Sequence, residues 1–255
     1  MTTSPTQNHL AARLLTLLSR WSLATALMIL VTMFLYMGVG FSATDSALGP
    51  EYAELMPAVR SPVVYRLQTL SEGLYWLLIG GTLIIFAGTF TRRAPIRAGF
   101  MAACGIGQLT GALGSFMRAH AISDIAARYA IAAPNQQAAL LQSLLDLDRV
   151  IEPHYTLSTL CLGAGFLLVA GVAWKWSGFP RWLAVWLGIG GVLGLVLFGL
   201  RAAGSLSALV LPAILVDVMV LLVQYVALAI ALWRPSSHLA AEAASASAAT
   251  QILVK

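Results

Sequence analysis

Six separate stretches of this chain each run for about 20 residues with almost no charge, the length of helix that crosses a hydrocarbon core of about 30 Å. They fall at residues 21–41, 70–90, 99–117, 155–174, 182–200 and 206–233, and one acid stands inside the last of them. Six such runs in one chain fit a single helical bundle better than a soluble core carrying an anchor. The expected fold class is all-α: a polytopic transmembrane bundle of six helices.

Composition agrees. The 255 residues are 59% apolar and 10% charged, with a mean hydropathy of +0.84. A soluble domain runs at about 45–50% apolar and about 25% charged. That excludes a disordered chain, an ordinary soluble enzyme and a disulfide-stapled secreted module. The 15 Lys and Arg against 10 Asp and Glu give a formal +5. The basic residues form no cluster beyond Arg92-Arg93 and Arg97, so the expected partner is the lipid bilayer and not nucleic acid. Cys104 and Cys161 each lie inside an apolar run, which suggests neither a disulfide framework nor a zinc site.

The first run is 21 residues long, against about 7–15 for the apolar core of a signal peptide. Phe41 would stand where a cleavage site needs a small residue, so the run is read as a retained span. Before it, Leu10, Leu14, Leu17 and Leu18 share one helical face that Arg13 and Arg20 interrupt, the pattern of a short interfacial helix. The chain then divides into an N-terminal segment (1–20), a transmembrane domain (21–234) and an Ala/Ser-rich tail (235–255), expected to be mobile.

Basic residues set the expected orientation. With the N-terminus in the cytoplasm, Arg13, Arg20, Arg92, Arg93, Arg97, Lys175, Arg181, Arg234 and Lys255 lie inside; Arg60, Arg66, Arg118, Arg128, Arg149 and Arg201 lie outside. Nine against six places both termini in the cytoplasm of a multi-pass inner (plasma) membrane protein. Trp174, Trp176, Trp182 and Trp233 form an aromatic belt at the inner interface. Two outer segments are longer. Residues 42–69 carry Pro50, Pro57 and Pro62, which exclude one uninterrupted helix. Residues 136–151 carry Leu140, Leu141, Leu144, Leu145 and Ile151 at helical spacing. They make an extra outer amphipathic helix, or an extension of the fourth span bent near Pro153.

Asp217 is the sharpest functional candidate. An ionised carboxylate near the bilayer middle costs about 2.5–3.5 kcal/mol on insertion scales, so it must face the bundle, be protonated or find a partner. Gln224 and Tyr225 lie seven and eight positions on, roughly on its face, and Pro212, five residues earlier, frees a backbone carbonyl near Ala208. Asp217 reads either as a proton- or cation-coupled site or as a neutral, hydrogen-bonded residue joining helices. Gln108 is the main polar side chain of the third span. It is surrounded by Gly105, Gly107, Gly111 and Gly114, and the fifth span repeats the pattern in Gly190 and Gly194. Small residues at this spacing let helices approach closely.

Near the outer helix ends stand Glu72, Arg118, His120, Arg149, Glu152, His154 and Arg201. They read as Arg–Glu pairing across helix ends, or as a vestibule for a polar or anionic group if they converge. His120 and His154 lack the second His pair, at another depth, that a haem would need, so no cofactor or metal is expected. No zinc-protease, serine-hydrolase or phosphate-loop motif occurs in the sequence, and Ser158-Thr159 has no placed base, so no enzymatic activity is expected.

Residues 173–187, reading AWKWSGFPRWLAVWL, are the most distinctive stretch. Their Ser-Gly-Phe-Pro-Arg turn, leading into a Gly-rich span, resembles the uncharacterised integral-membrane family known as domain of unknown function 4386. Val64-Tyr65-Arg66-Leu67 is similar to that family's entry to the second span. The resemblance implies a membrane protein of six to seven helices and no catalytic residues. Physically, Pro180 ends the fourth span, Gly178 permits the reversal and Arg181 anchors it.

The functional expectation is an integral membrane protein handling a small solute, a proton-coupled transporter or sensor built around Asp217. The alternative is an assembly subunit that binds another membrane protein, or a second copy of itself, through its Gly-rich faces. A third reading is an intramembrane enzyme acting on lipid-like substrates through the outer charged residues.

Overall fold

A computed structural model describes residues 5–39, 56–176, 179–203 and 207–233. In order these form α1 (Pro5–Val39), α2 (Met56–Arg60), α3 (Pro62–Phe90), α4 (Pro95–Ile131), α5 (Pro134–Ala173), α6 (Arg181–Ala202) and α7 (Ser207–Trp233). Among the described residues every element is helical, and six helices are long and apolar enough to cross a membrane. Proline marks the starts. Pro62, Pro95 and Pro134 each open a helix at a first-turn position, where the missing N–H would have had no partner in any case.

From α3 to α7 each long helix packs beside the next, and α1 packs against both α3 and α7, so the six long helices close into a ring. Polar side chains mark that closure. The Ser19 hydroxyl donates to the Ala229 carbonyl at 2.8 Å, and the Trp21 indole donates to the Leu78 carbonyl at 2.7 Å. About three turns further along α1, Thr32 donates to the Ser71 hydroxyl at 3.0 Å. The core within the ring is dominated by large side chains: Ile79, Leu83, Phe86, Phe166 and Tyr225 are fully buried.

Two expected elements merge into their neighbours. The separate N-terminal interfacial helix does not exist as such, because α1 runs unbroken through residues 5–39. Its stripe does turn inward at Leu18, which is fully buried. The extra outer helix is the first part of α5, a 40-residue helix that passes through Pro153 without interruption. At about 1.5 Å per residue, α4 and α5 measure about 55 and 60 Å, well beyond the hydrocarbon thickness. Their protruding parts pack together, with Leu141 and Leu144 buried against Ile122, Tyr65 and Ala58. The helix favoured at residues 136–151 is real; it gains its partner from the equally long α4. The end of the first span, the 177–178 turn and the tail lie outside the described residues.

At the other end, Trp174, Trp182 and Trp233 are largely exposed, as an interfacial belt requires. Trp176 departs from that expectation. It stacks on Phe179, meets Phe90 edge-on and lies under the Arg93 guanidinium at 4.3 Å.

Glycine allows the closest helix approach between α5 and α6. A methyl group on Gly163 would lie 2.6 Å from the Leu195 backbone nitrogen and 2.8 Å from the Gly191 carbonyl oxygen. Gly163→Ala should therefore lower stability by about 1–3 kcal/mol, the usual cost of overpacking. Gly99 has nothing within 4 Å of the same position. Gly99→Ala should be neutral, or stabilising by up to about 1 kcal/mol through helix propensity. Thermal unfolding of the two variants in the same detergent checks the contrast.

Candidate functional site

The four intramembrane polar residues are all buried, but each meets a different neighbour. Gln108, fully buried on α4, donates through Nε2 to the Ser158 carbonyl of α5 at 2.9 Å. Around it the Gly111 N–H donates to Ser158 Oγ at 2.7 Å, and the Thr110 hydroxyl takes the Gly107 carbonyl at 2.7 Å. Gly107 and Gly111 leave the room into which Cys161 and Ser158 project. Gln108 therefore belongs to a hydrogen-bonded seam between α4 and α5. In the same seam the Cys104 and Cys161 thiols face one another as free cysteines.

Gln224 donates to the Trp186 carbonyl of α6 and occupies the space left by Gly190. Tyr225, the next residue, points about 100° away around the helix. It meets the Phe166 ring edge-on at 6.3 Å, with its hydroxyl beside Thr82. Asp217 lies about two turns away from both.

Asp217 is 4% exposed, and its Oδ1 has no hydrogen-bond partner among the described residues. Its electrostatic neighbours are Arg201 of α6 and Tyr75 of α3. That links it to the charged residues beyond it. Glu72 of α3 stands within electrostatic reach of Arg118, Arg201 and Asp148, beside the Trp76 indole. The Arg118 Nη2 holds Asp148 Oδ2 at 2.8 Å, and the Arg201 Nη1 holds Glu152 Oε1 at 2.7 Å. Each guanidinium also lies over a tyrosine ring, Arg118 over Tyr65 at 5.5 Å and Arg201 over Tyr155 at 5.6 Å. Tyr155 is held in turn by a 3.0 Å hydrogen bond with the Ser115 hydroxyl.

Glu72, Arg118, Glu152 and Arg201 thus converge as one network. His120 and Arg149 do not join it. His120 is exposed, because it lies two positions from Arg118 and so points to the opposite side of α4. Arg149 keeps 73% of its side chain exposed and pairs with Asp146 at 3.0 Å along its own helix. His154 is half-buried against Gly114 of α4, and its Nδ1 has no partner among the described residues. Asp148, Tyr65, Tyr75 and Tyr155 belong to the network without having been singled out in the sequence. Only Asp148 carried a usable signal: an acid one turn from Glu152 on a helix that also presents apolar residues inward.

The charges do not balance. Glu72, Asp148, Glu152 and Asp217 supply four carboxyl groups against the guanidiniums of Arg118 and Arg201. Both arginines already hold a carboxylate, so an anion has little to gain there. A proton or a cation does, and Asp217 is the acid with the least compensation.

A ring of six membrane-crossing helices enclosing a buried acid and a tyrosine-lined charge network makes this a multi-pass integral membrane protein. A family model described as domain of unknown function (DUF4386) matches residues 23–234, and the chain belongs to that family. Comparison with curated proteins and with solved structures gives no match.

The ion pairs should differ in weight. Asp148→Ala strands a guanidinium that is only 22% exposed. It should cost about 2 kcal/mol, somewhat below the loss for a fully buried pair. Asp146→Ala removes an exposed partner and should cost less than about 1 kcal/mol. Thermal denaturation of both variants in one detergent measures the difference.

Proposed function

We propose that this protein is a non-enzymatic, proton-coupled carrier of a small solute, with Asp217 as the proton-binding residue. The observation that carries the reading is a buried carboxyl whose Oδ1 has no partner among the described residues, joined electrostatically to a network in which the described carboxyls outnumber guanidiniums two to one. An acid kept within a membrane span against its desolvation cost is most economically explained by a cation or proton that visits it.

Orientation gives the coupling a direction. Arg92, Arg93, Arg97, Lys175 and Arg181 gather at the helix ends nearest the termini, and this excess of basic residues supports a cytoplasmic orientation of that end in the plasma membrane. The carboxyl network then faces outward, where protons enter. Tyr75 and Trp76, stacked at 5.0 Å between centroids, pack in the core beside Glu72.

The glycines that suggested assembly with another protein lie within the bundle. Gly105 packs on Gly80, Gly107 on Cys161, Gly190 on Gln224 and Gly194 on Gly163. These glycines are spent on contacts within the bundle, whereas Gly199 of α6 has nothing within 4 Å of an added methyl.

The test is transport by the purified full-length chain in liposomes. An acid-outside pH difference is imposed, a mixture of amino acids, sugars and small organic cations is added, and proton entry is read by a trapped pH dye. The wild type should show solute-dependent proton entry. Asp217→Asn, inserted and folded equally well, should fall to the level of empty liposomes, while Asp217→Glu keeps part of the flux. Undiminished flux in Asp217→Asn would overturn the proposal.

A further inference from the structure

The seam between α4 and α5 holds one pair of side chains that neither the charge network nor the carrier reading uses. Cys104 of α4 and Cys161 of α5 are free and half-buried, with their thiols within hydrogen-bonding reach of one another. The two helices run antiparallel here, and each cysteine stands opposite a glycine of the other. A methyl on Gly107 would overlap the Cys161 Sγ and lie 3.2 Å from its Cβ. A methyl on Gly165 would lie 3.2 Å from the Cys104 Cβ. Gly107 is about one turn from Cys104, and Gly165 about one turn from Cys161, so two reciprocal glycine gaps bracket the sulfurs. A disulfide needs Cβ atoms about 3.5–4.5 Å apart. Here each cysteine Cβ already lies 3.2 Å from where a Cβ of the opposite helix would stand.

Depth decides what such a pair can react with. Cys104 is nine residues into α4 and Cys161 twelve residues from the end of α5. Those are about 14 and 18 Å of helix, near the middle of a hydrocarbon core about 30 Å thick. Glutathione and thioredoxin, which keep aqueous thiols reduced, do not reach that depth. Exchange with a water-soluble disulfide needs a thiolate, and ionising a thiol in hydrocarbon is costly. Both cysteines nevertheless stand at the edge of their helix's buried face. Gln108 and Ser158 on one side of them are fully buried, whereas Ala103 and Leu157 on the other are exposed. A reagent dissolved in lipid meets the pair from that side.

We propose that Cys104 and Cys161 are an intramembrane redox pair that closes to a disulfide by reducing a lipid-soluble quinone. Two S–H bonds break and one S–S bond forms. The two electrons and two protons released convert the quinone to its quinol. Dithiol, disulfide, quinone and quinol are all neutral, so the exchange leaves no charge in the hydrocarbon. The bond staples α4 to α5, the two helices whose outer parts hold the Arg118–Asp148 ion pair. Nothing in this step depends on whether Asp217 carries protons.

The experiment treats the reduced, full-length protein in nanodiscs with decylubiquinone, freed of other reductant. The protein is then unfolded in detergent and labelled with a maleimide, and its intact mass is read. The wild type should fall from two maleimide adducts per chain to none and stay monomeric on a non-reducing gel. It should also yield one quinol per chain, followed by ultraviolet absorbance. Cys104→Ser and Cys161→Ser, each inserted and folded like the wild type, should keep their single adduct and form no quinol. Oxidised glutathione at the same concentration should leave both thiols of the native wild type free. Two adducts surviving decylubiquinone would overturn the proposal. So would a mass gain of one quinone per chain, which marks addition to the ring in place of electron transfer. Disulfide-linked dimers, or equal oxidation by glutathione disulfide, would overturn it too. These readouts follow thiols and quinol, so the redox pair and the carrier reading fail or survive separately.

Discussion

A hydrocarbon layer supplies no hydrogen bonds, so every polar group that enters it must be answered by the protein or by something the protein binds. The helices answer for their own backbones. The side chains are answered at seams: Ser19 on Ala229, Trp21 on Leu78, Gln108 on Ser158 and Gln224 on Trp186 each join two helices. In each case a donor on one helix meets a main-chain carbonyl on the next, which fixes the two helices in height as well as in rotation. Glycine completes the arrangement by bringing the backbones near enough for such short side chains to reach.

Measured against that rule, Asp217 is the acid that stands out. Ser22, Trp76 and Tyr225 also keep a buried polar atom without a partner among the described residues, but those groups are neutral, whereas Asp217 leaves a carboxyl oxygen unanswered. Its nearest charge, Arg201, is already committed to Glu152. The network beyond it is held together by arginines lying over tyrosine rings, an arrangement that keeps cations in a poorly hydrated place and leaves the carboxyls in excess. Arg201 and Asp217 thus share one electrostatic environment.

Much of this was legible in the sequence. Run length located the six spans, and glycine clusters around Gln108 and Gly190 pointed to close helix contacts. The polar seam at Gln108 followed from one amide surrounded by small residues. Other features were hidden by three-dimensional closure. Residues 136–151 looked self-sufficient as a surface helix because their partner, the end of α4, is itself poor in apolar periodicity. Arg118 and His120 looked like neighbours in a ring, but two residues of helix separate them by about 200°. Tyr65, Tyr75 and Tyr155 carry no signal of their own in the sequence, and only the ring brings them to one side of Glu72 and the two arginines. Asp148 was lost among Asp146, Arg149 and Glu152 on the same amphipathic segment.

The central claim is that Asp217 exchanges a proton with the outer aqueous phase through this network. Infrared difference spectroscopy of the reconstituted protein between acid and alkaline buffer tests it without knowledge of the solute. The wild type should show a protonated-carboxyl band that changes with pH and is missing from Asp217→Asn, with the helical amide bands unaltered. Identical difference spectra for wild type and Asp217→Asn would show that the buried acid never titrates, and would contradict the account.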